Sequence, residues 1–125
     1  MLNKFIYLLF LFFLNSCVNN SCISKIEIEK SQNIGFVKFG DTLIKKIPFK
    51  NISSNTLKII NIESSCGCTF VKLKDSIIES NCSSELTVIL SPKTENKKII
   101  SESIVIEANT DPIFNVIYLN GKIEN

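Results

Sequence analysis

The part of the sequence best suited to chemistry is the segment SSCGCT at residues 64–69, in which Cys66 and Cys68 flank Gly67. The chain contains no histidine, so it lacks the commonest general base and the commonest neutral metal ligand. A serine–histidine hydrolase is therefore excluded, and we predict no enzymatic activity. The chemistry that remains is that of thiols: a disulfide, a redox pair or a soft-metal site.

The spacing of Cys66 and Cys68 leaves these alternatives open. On a straight strand their Cα atoms would lie about 6.6 Å apart, near the outer limit for a disulfide. Gly67 could bring the sulfurs together through a positive φ or a bulge, giving a strained, easily reduced bond. Two or three thiolates would also suit Cu(I), whereas structural zinc needs four ligands. No cofactor is predicted.

Cys82 adds a structural alternative. A disulfide from Cys82 to Cys66 or Cys68 would stabilise a small domain by about 2–4 kcal/mol, and buried, unreactive thiols are also common. Together with Cys22 these residues give four thiols, which admit three pairings that the sequence does not distinguish. A structural disulfide or packed thiol is favoured over metal binding and over redox activity.

The N-terminal segment predicts export. Lys4 precedes an uncharged run from Phe5 to Leu14, which is too short to span a bilayer but typical of a signal peptide. The ending LNSC at residues 14–17 resembles the lipobox of bacterial lipoproteins, which implies cleavage before Cys17, lipidation of Cys17 and anchoring by several acyl chains. The alternatives are a plain signal peptide and an N-terminal membrane helix.

The predicted organisation is a lipoprotein signal peptide at 1–16, a lipidated tether with the first residues of the mature chain at 17–30, and one domain at 31–125. Beyond the tether, apolar residues recur with period two in short runs rich in Ile and Val, separated by turn residues. This pattern predicts an all-β, immunoglobulin-like β-sandwich of about seven or eight strands. The candidate strands are Ile26–Ile28, Phe36–Phe39, Leu43–Phe49, Leu57–Ile62, Thr69–Leu73, Leu86–Leu90, Ile99–Ala108 and Val116–Ile123.

Single residues within these runs refine the prediction. Pro48 cannot donate to a ladder, so it predicts a sheet edge, a bulge or a strand break. Glu102 and Glu107 are five apart on a strand and face opposite sides, which argues against a paired-carboxylate site. The chain has 14 lysines, scattered along its length, and no arginine, so we predict no nucleic-acid partner.

Several landmarks occur in a recognisable order: FKN at 49–51, LKII at 57–60, SCGCT at 65–69, LSP at 90–92, AN at 108–109 and LNGKI at 119–123. From about Phe36 to Ile123 the chain resembles the bacterial family called domain of unknown function 1573. The resemblance implies an immunoglobulin-like fold related to PapD and major-sperm-protein domains, in exported proteins and lipoproteins. Ser65, Gly67 and Thr69 belong to its central motif, and it implies no particular activity.

These observations predict a lipid-anchored cell-envelope protein with a non-catalytic binding or scaffolding domain. It would sit on the cell membrane or outer membrane, facing the periplasm or the surface. Its partners would be the membrane, through the lipid on Cys17, and an unidentified envelope protein, since sandwich edges can accept a strand from a partner. The alternative is Cu(I) binding or thiol redox activity at Cys66 and Cys68.

Overall fold

The computed structural model describes residues 22–93 and 98–124. The predicted signal peptide and Cys17 lie outside these residues. No membrane-crossing helix is found in the described part of the chain.

The described residues form an all-β sandwich, as the alternating pattern predicts. Its nine strands are β1 (Ile26–Ile28), β2 (Ser31–Lys38), β3 (Leu43–Asn51), β4 (Leu57–Ser64), β5 (Thr69–Leu73), β6 (Ile77–Ile78), β7 (Ser83–Leu90), β8 (Ile99–Ala108) and β9 (Phe114–Glu124). The sequence missed β6, because two residues are too short to show a period.

The strands form two sheets with orders β1-β3-β7-β5 and β2-β9-β8-β4-β6. The chain passes from the first sheet to the second between β1 and β2, and β2 then runs parallel to β9. The remaining pairings of the named strands are antiparallel. The two sheets therefore enclose a single core.

The core follows the alternation of the sequence. In β7 and β8 every second residue is buried, as expected for strands with one face on a core and one face outward. The fully buried large side chains come from both sheets and include Ile47, Leu86, Ile104 and Leu119. Glu102 occupies one of the core-facing positions of β8, whereas Glu107 faces outward, which confirms that these two acids lie on opposite faces.

Pro48 lies within β3 and is exposed. Although β3 is the second strand of its sheet, β1 pairs only with Phe49–Asn51, so nothing pairs with Pro48 on that side among the described strands. The strand-break alternative is wrong, because β3 continues through Pro48 to Asn51. The edge prediction is confirmed locally. At Pro48 no described strand lies on the side of β3 that faces away from β7, so the absence of an N–H there breaks no ladder hydrogen bond.

Two asparagines from the sequence landmarks tie the loops together at one end of the sandwich. Asn51 is fully buried, and its Nδ2 donates to the carbonyls of Asn55 (2.7 Å) and Ile78 (3.0 Å). Its Oδ1 accepts from the N–H (3.0 Å) and the hydroxyl (2.7 Å) of Ser53. Both donors and both acceptor lone pairs of this amide are thus used.

Asn109 likewise uses its side-chain amide to connect the loop after β8 with the start of β4 and the N-terminal segment. Its Oδ1 accepts from the Lys58 N–H (2.7 Å) and the Ser24 hydroxyl (2.9 Å). Its Nδ2 donates to the carbonyls of Cys22 (2.8 Å) and Thr56 (2.9 Å). Ser24 is itself buried, so the ordered sandwich begins before β1.

Candidate functional site

Cys66 and Cys68 lie in the turn between β4 and β5 and form a disulfide. Their Cα atoms are 5.2 Å apart, closer than a straight strand allows, because the chain turns between them. The positive φ suggested for Gly67 is wrong: among the described glycines only Gly35 and Gly40 adopt one. The alternative pairing with Cys82 is also wrong, since the Cys82 thiol is free and exposed.

The turn around the disulfide is held by its own hydrogen bonds. The hydroxyl of Ser64 donates to the carbonyls of Cys66 (3.0 Å) and Thr69 (2.8 Å), and the Thr69 N–H donates to the Cys66 carbonyl (3.2 Å). The Cys68 N–H points at Sγ of Cys66 (3.1 Å). A donor aimed at that sulfur favours a negative charge on it, so Cys66 is the better placed of the two to be a thiolate.

Ser65 connects the turn to β8. Its backbone N–H donates to the Ser103 carbonyl (2.9 Å), and its hydroxyl accepts from the Ser103 N–H (2.9 Å). The same hydroxyl donates to Oε2 of Glu102 at 2.8 Å. The Ser65 side chain therefore fixes both the turn and the carboxylate that faces it.

The disulfide forms one wall of a cavity of about 120 Å³. Most of the lining is apolar, and the polar contributions come from Lys93 and Glu102. The cavity is lined by Cys66, Cys68, Leu90, Pro92, Lys93, Ile100, Glu102 and Ile123. This volume suits an ion with a water molecule or the tip of another thiol, and is too small for a nucleotide cofactor.

Glu102 is the unexpected member of the site, since it is only 6% exposed. Its position follows from the β8 alternation, which places it on the core face between Ile100 and Ile104. One ligand atom each from Cys66, Cys68 and Glu102 lies within 4.8 Å of the others. The turn and β8 thus bring two sulfurs and a carboxylate together at one end of the core.

A lysine also lines the cavity. It is Lys93, which follows the end of β7. Its Nζ lies 3.8 Å from the position that a Cβ on Gly67 would take. Lys93 therefore places a positive charge beside the turn that carries the disulfide.

The Cys66–Cys68 bond should add less to global stability than a longer-range disulfide, because the loop that it closes has a sequence separation of only 2. The chain-entropy relation gives about 1.6 kcal/mol for so short a loop, compared with about 3 kcal/mol for a bond from Cys82 to Cys66. A disulfide whose main role is to stabilise the fold would be expected to close a longer loop. The short loop points to a local role for this bond.

The model of the family described as Protein of unknown function (DUF1573) matches residues 26–123. The chain belongs to this family. The matched range takes in all nine strands except the last residue of β9. No curated protein matches the sequence.

Solved structures similar to this DUF1573 domain agree on its fold. A protein of unknown function from Porphyromonas gingivalis W83 superposes with a TM-score of 0.75 at 17% identity, over 86% of this chain and 51% of that one. This chain thus spans about half of that protein's length. The PapD-like domain 7 of human CEP192 gives a TM-score of 0.62 at 15% identity, over 90% and 94% of the two chains.

A third similar structure is the periplasmic chaperone SfaE, with a TM-score of 0.54 at 9% identity, over 81% of this chain and 58% of that one. The DUF1573 domain is therefore an immunoglobulin-like sandwich of the PapD-like type, as the order of sequence landmarks implies. Identities this low establish the fold and carry no function by themselves.

Proposed function

We propose that this DUF1573 protein is a lipid-anchored envelope protein whose sandwich binds a partner protein non-catalytically, by accepting an extended strand at β5. The observation that carries the proposal is the free edge of β5. Among the described strands β5 pairs only with β7, so its other edge is open.

The hydrogen bonds at the start of β5 define which groups this edge offers. The Cys68 carbonyl accepts from the Ser91 N–H at 3.0 Å, so the even-numbered residues of this antiparallel pair exchange bonds with β7. The N–H and C=O groups of Val71 and Leu73 consequently point away from β7. They provide two donors and two acceptors for an incoming strand.

A groove runs beside these groups, between β5 and β4 of the opposite sheet. Its lining is mostly apolar: Ile59, Ile60, Asn61, Ile62, Val71, Leu73 and Ser76. An added strand would place alternate side chains in this groove while its backbone bonds to β5, which is how strand addition combines affinity with specificity. Ile60 is 64% exposed, as expected for a surface that a partner covers.

The outer face of the same sheet extends the apolar surface. Phe70 of β5 lies opposite Ile89 of β7, which in turn lies opposite Ile44 of β3. Phe70 and Ile44 are 61% and 63% exposed. This row gives a partner strand at β5 a further apolar contact through Phe70.

Three other open edges have features that natural sheets commonly use against strand addition. The β2 edge has a register shift between Asn33 and Gly35, and Nζ of Lys45 donates a hydrogen bond to the Asn33 carbonyl at 2.8 Å. The open part of β3 contains Pro48, which has no N–H to offer. β6 has only two residues. The β5 edge has no proline and no register shift between Thr69 and Leu73, and it carries one lysine, Lys72.

Val71→Pro tests this proposal. Proline removes the N–H that faces outward and leaves the ladder with β7 intact, so we expect the fold to persist and partner capture to fall at least about tenfold, the effect of ~1.4 kcal/mol. The measurement is crosslinked capture from envelope extracts, compared between variants by quantitative mass spectrometry.

Lys46→Pro is the matched control, because the Lys46 N–H also faces an open edge, that of β3. A protein captured by the wild type and by Lys46→Pro but not by Val71→Pro would support binding at β5. Equal capture by all three, or loss only in Lys46→Pro, would contradict it.

The anchor is proposed from the sequence. The segment LNSC supplies Cys17 as the residue that would carry the lipid. We expect Cys17→Ser to move the protein from the membrane fraction to the soluble fraction or to leave an unprocessed precursor, and the wild-type mature chain to carry the added mass of its acyl groups. A mature wild-type chain of unmodified mass would refute lipidation.

Thiol–disulfide exchange at Cys66 and Cys68 is the second candidate function, favoured by the Cys68 N–H and Lys93 near the sulfurs. A thiolate of an envelope dithiol attacks Sγ of Cys68, and Sγ of Cys66 leaves as a thiolate. The second thiol of the reductant then displaces Cys68, so the reductant becomes a disulfide and Cys66 and Cys68 become thiols.

A further inference from the structure

We infer that reduction of the disulfide creates a binding site for Zn²⁺ or a similar divalent cation, with Cys66, Cys68 and Glu102 as the three protein ligands. The inference rests on the second candidate function, since the thiolates exist only after reduction. It differs from a simple two-thiol Cu(I) site because it assigns a role to a buried carboxylate.

The geometry is close to what such a cation requires. A tetrahedral Zn²⁺ binds sulfur at about 2.3 Å and oxygen at about 2.1 Å, which puts its ligand atoms roughly 3.5–3.8 Å apart. The ligand atoms of Cys66, Cys68 and Glu102 already lie within 4.8 Å of one another. To form the site, the two sulfurs must move apart once they are no longer bonded, and the carboxylate oxygen must come about 1 Å closer to them.

Glu102 decides which metal is favoured. Its carboxylate is a hard oxygen donor, which suits Zn²⁺ and not Cu(I). It is 6% exposed and is held by the Ser65 hydroxyl at 2.8 Å, so its position is set before any metal arrives. A hydrogen bond to a ligating carboxylate is the kind of outer contact that orients metal ligands.

The charges in the cavity also favour a divalent cation. Two thiolates and one carboxylate carry three negative charges next to the core, and buried charges require compensation. A divalent cation and the Lys93 ammonium at the cavity wall supply three positive charges. The dithiolate form of the site is therefore balanced when both are present.

Three protein ligands leave the fourth position open, and the cavity of about 120 Å³ has room for a water or a small ligand there. Binding follows reduction: once the disulfide has become two thiols, the cation displaces one proton from each. The disulfide form has no thiolate to offer, so the redox state controls metal binding.

The test uses the mature chain with Cys17→Ser, Cys22→Ser and Cys82→Ser, so that Cys66 and Cys68 are its only thiols. A phosphine reductant opens the disulfide and is itself oxidised, and alkylation followed by intact mass counts the thiols released. Zn²⁺ affinity is then measured by competition with a chromophoric chelator, and Co²⁺ serves as an absorbance probe of tetrahedral thiolate ligation.

We expect the reduced protein to bind one Zn²⁺ at least about 100-fold more tightly than the disulfide form. Glu102→Gln should weaken Zn²⁺ binding at least about tenfold while leaving Cu(I) binding unchanged. Glu107→Gln is the matched control, since this acid lies on the same strand and faces outward. It should bind Zn²⁺ like the parent protein.

Two results would overturn the inference: Zn²⁺ affinity that is equal in the reduced and disulfide forms, or equal in Glu102→Gln and Glu107→Gln. Reduction without Zn²⁺ binding would rule out the metal site but not thiol–disulfide exchange. Failure of the phosphine to release the thiols of the folded protein would contradict both the metal site and thiol–disulfide exchange.

Discussion

Asn51→Ala should lower the free energy of unfolding by about 3 kcal/mol, because it removes four hydrogen bonds from a fully buried amide. The carbonyl of Ile78 and the N–H of Ser53 would be left without these partners in a site that gives water little access. Equilibrium urea unfolding, followed by circular dichroism, measures the loss.

Asn61→Ala is the control for this variant. Asn61 is exposed, and its Nδ2 bonds only Oε1 of Glu63 at 3.1 Å, so its loss should change stability by no more than about 0.5 kcal/mol. Equal stability of the two variants would contradict a role for Asn51 in holding the loops together.

Gly121→Ala should cost about 2–3 kcal/mol through overpacking. A Cβ at this position would lie 2.7 Å from Cγ1 of Ile34 and 2.8 Å from the carbonyl oxygen of Gly35. The second contact is to backbone, which can give way only if β2 moves off β9, since Gly35 and Gly121 pair in that parallel ladder. Thermal unfolding should therefore shift downward by several degrees.

Gly67→Ala provides a comparison within the same chain. Among the described residues, a Cβ there would meet only Nζ of Lys93 at 3.8 Å, and Gly67 does not need a left-handed conformation. We expect this variant to unfold within about 1 kcal/mol of the wild type and to keep its disulfide. Hydrogen exchange should show faster exchange of β2 amides in Gly121→Ala and no change there in Gly67→Ala.

Most of the architecture was predictable, because a strand with one buried face shows alternating apolar and polar residues in the sequence. The runs at Leu86–Leu90 and Ile99–Ala108 match β7 and β8 closely. The start of β2 at Ser31 could not be predicted in this way. Its first three residues, Ser31–Asn33, are polar, and what makes them a strand is parallel pairing with β9, a contact distant in sequence.

The candidate site was predictable only in part. The Cys-Gly-Cys segment identified the two sulfurs, but not that a turn, rather than a special glycine conformation, brings them together. Glu102 could have been found, because it shares the buried face of Ile104 and Ile106 in the β8 alternation. Lys93 had no sequence signal, since its approach to the cavity depends on where the chain goes after β7.

Binding at the free edge of β5 is tested most directly by amide hydrogen exchange of the sandwich with and without a captured partner. The Val71 and Leu73 amides, which face away from β7, should become protected on binding. The amides of Ile44 and Lys46, at the open edge of β3, should exchange at unchanged rates. A partner that binds and protects the β3 edge while leaving Val71 and Leu73 unprotected would contradict binding at the β5 edge.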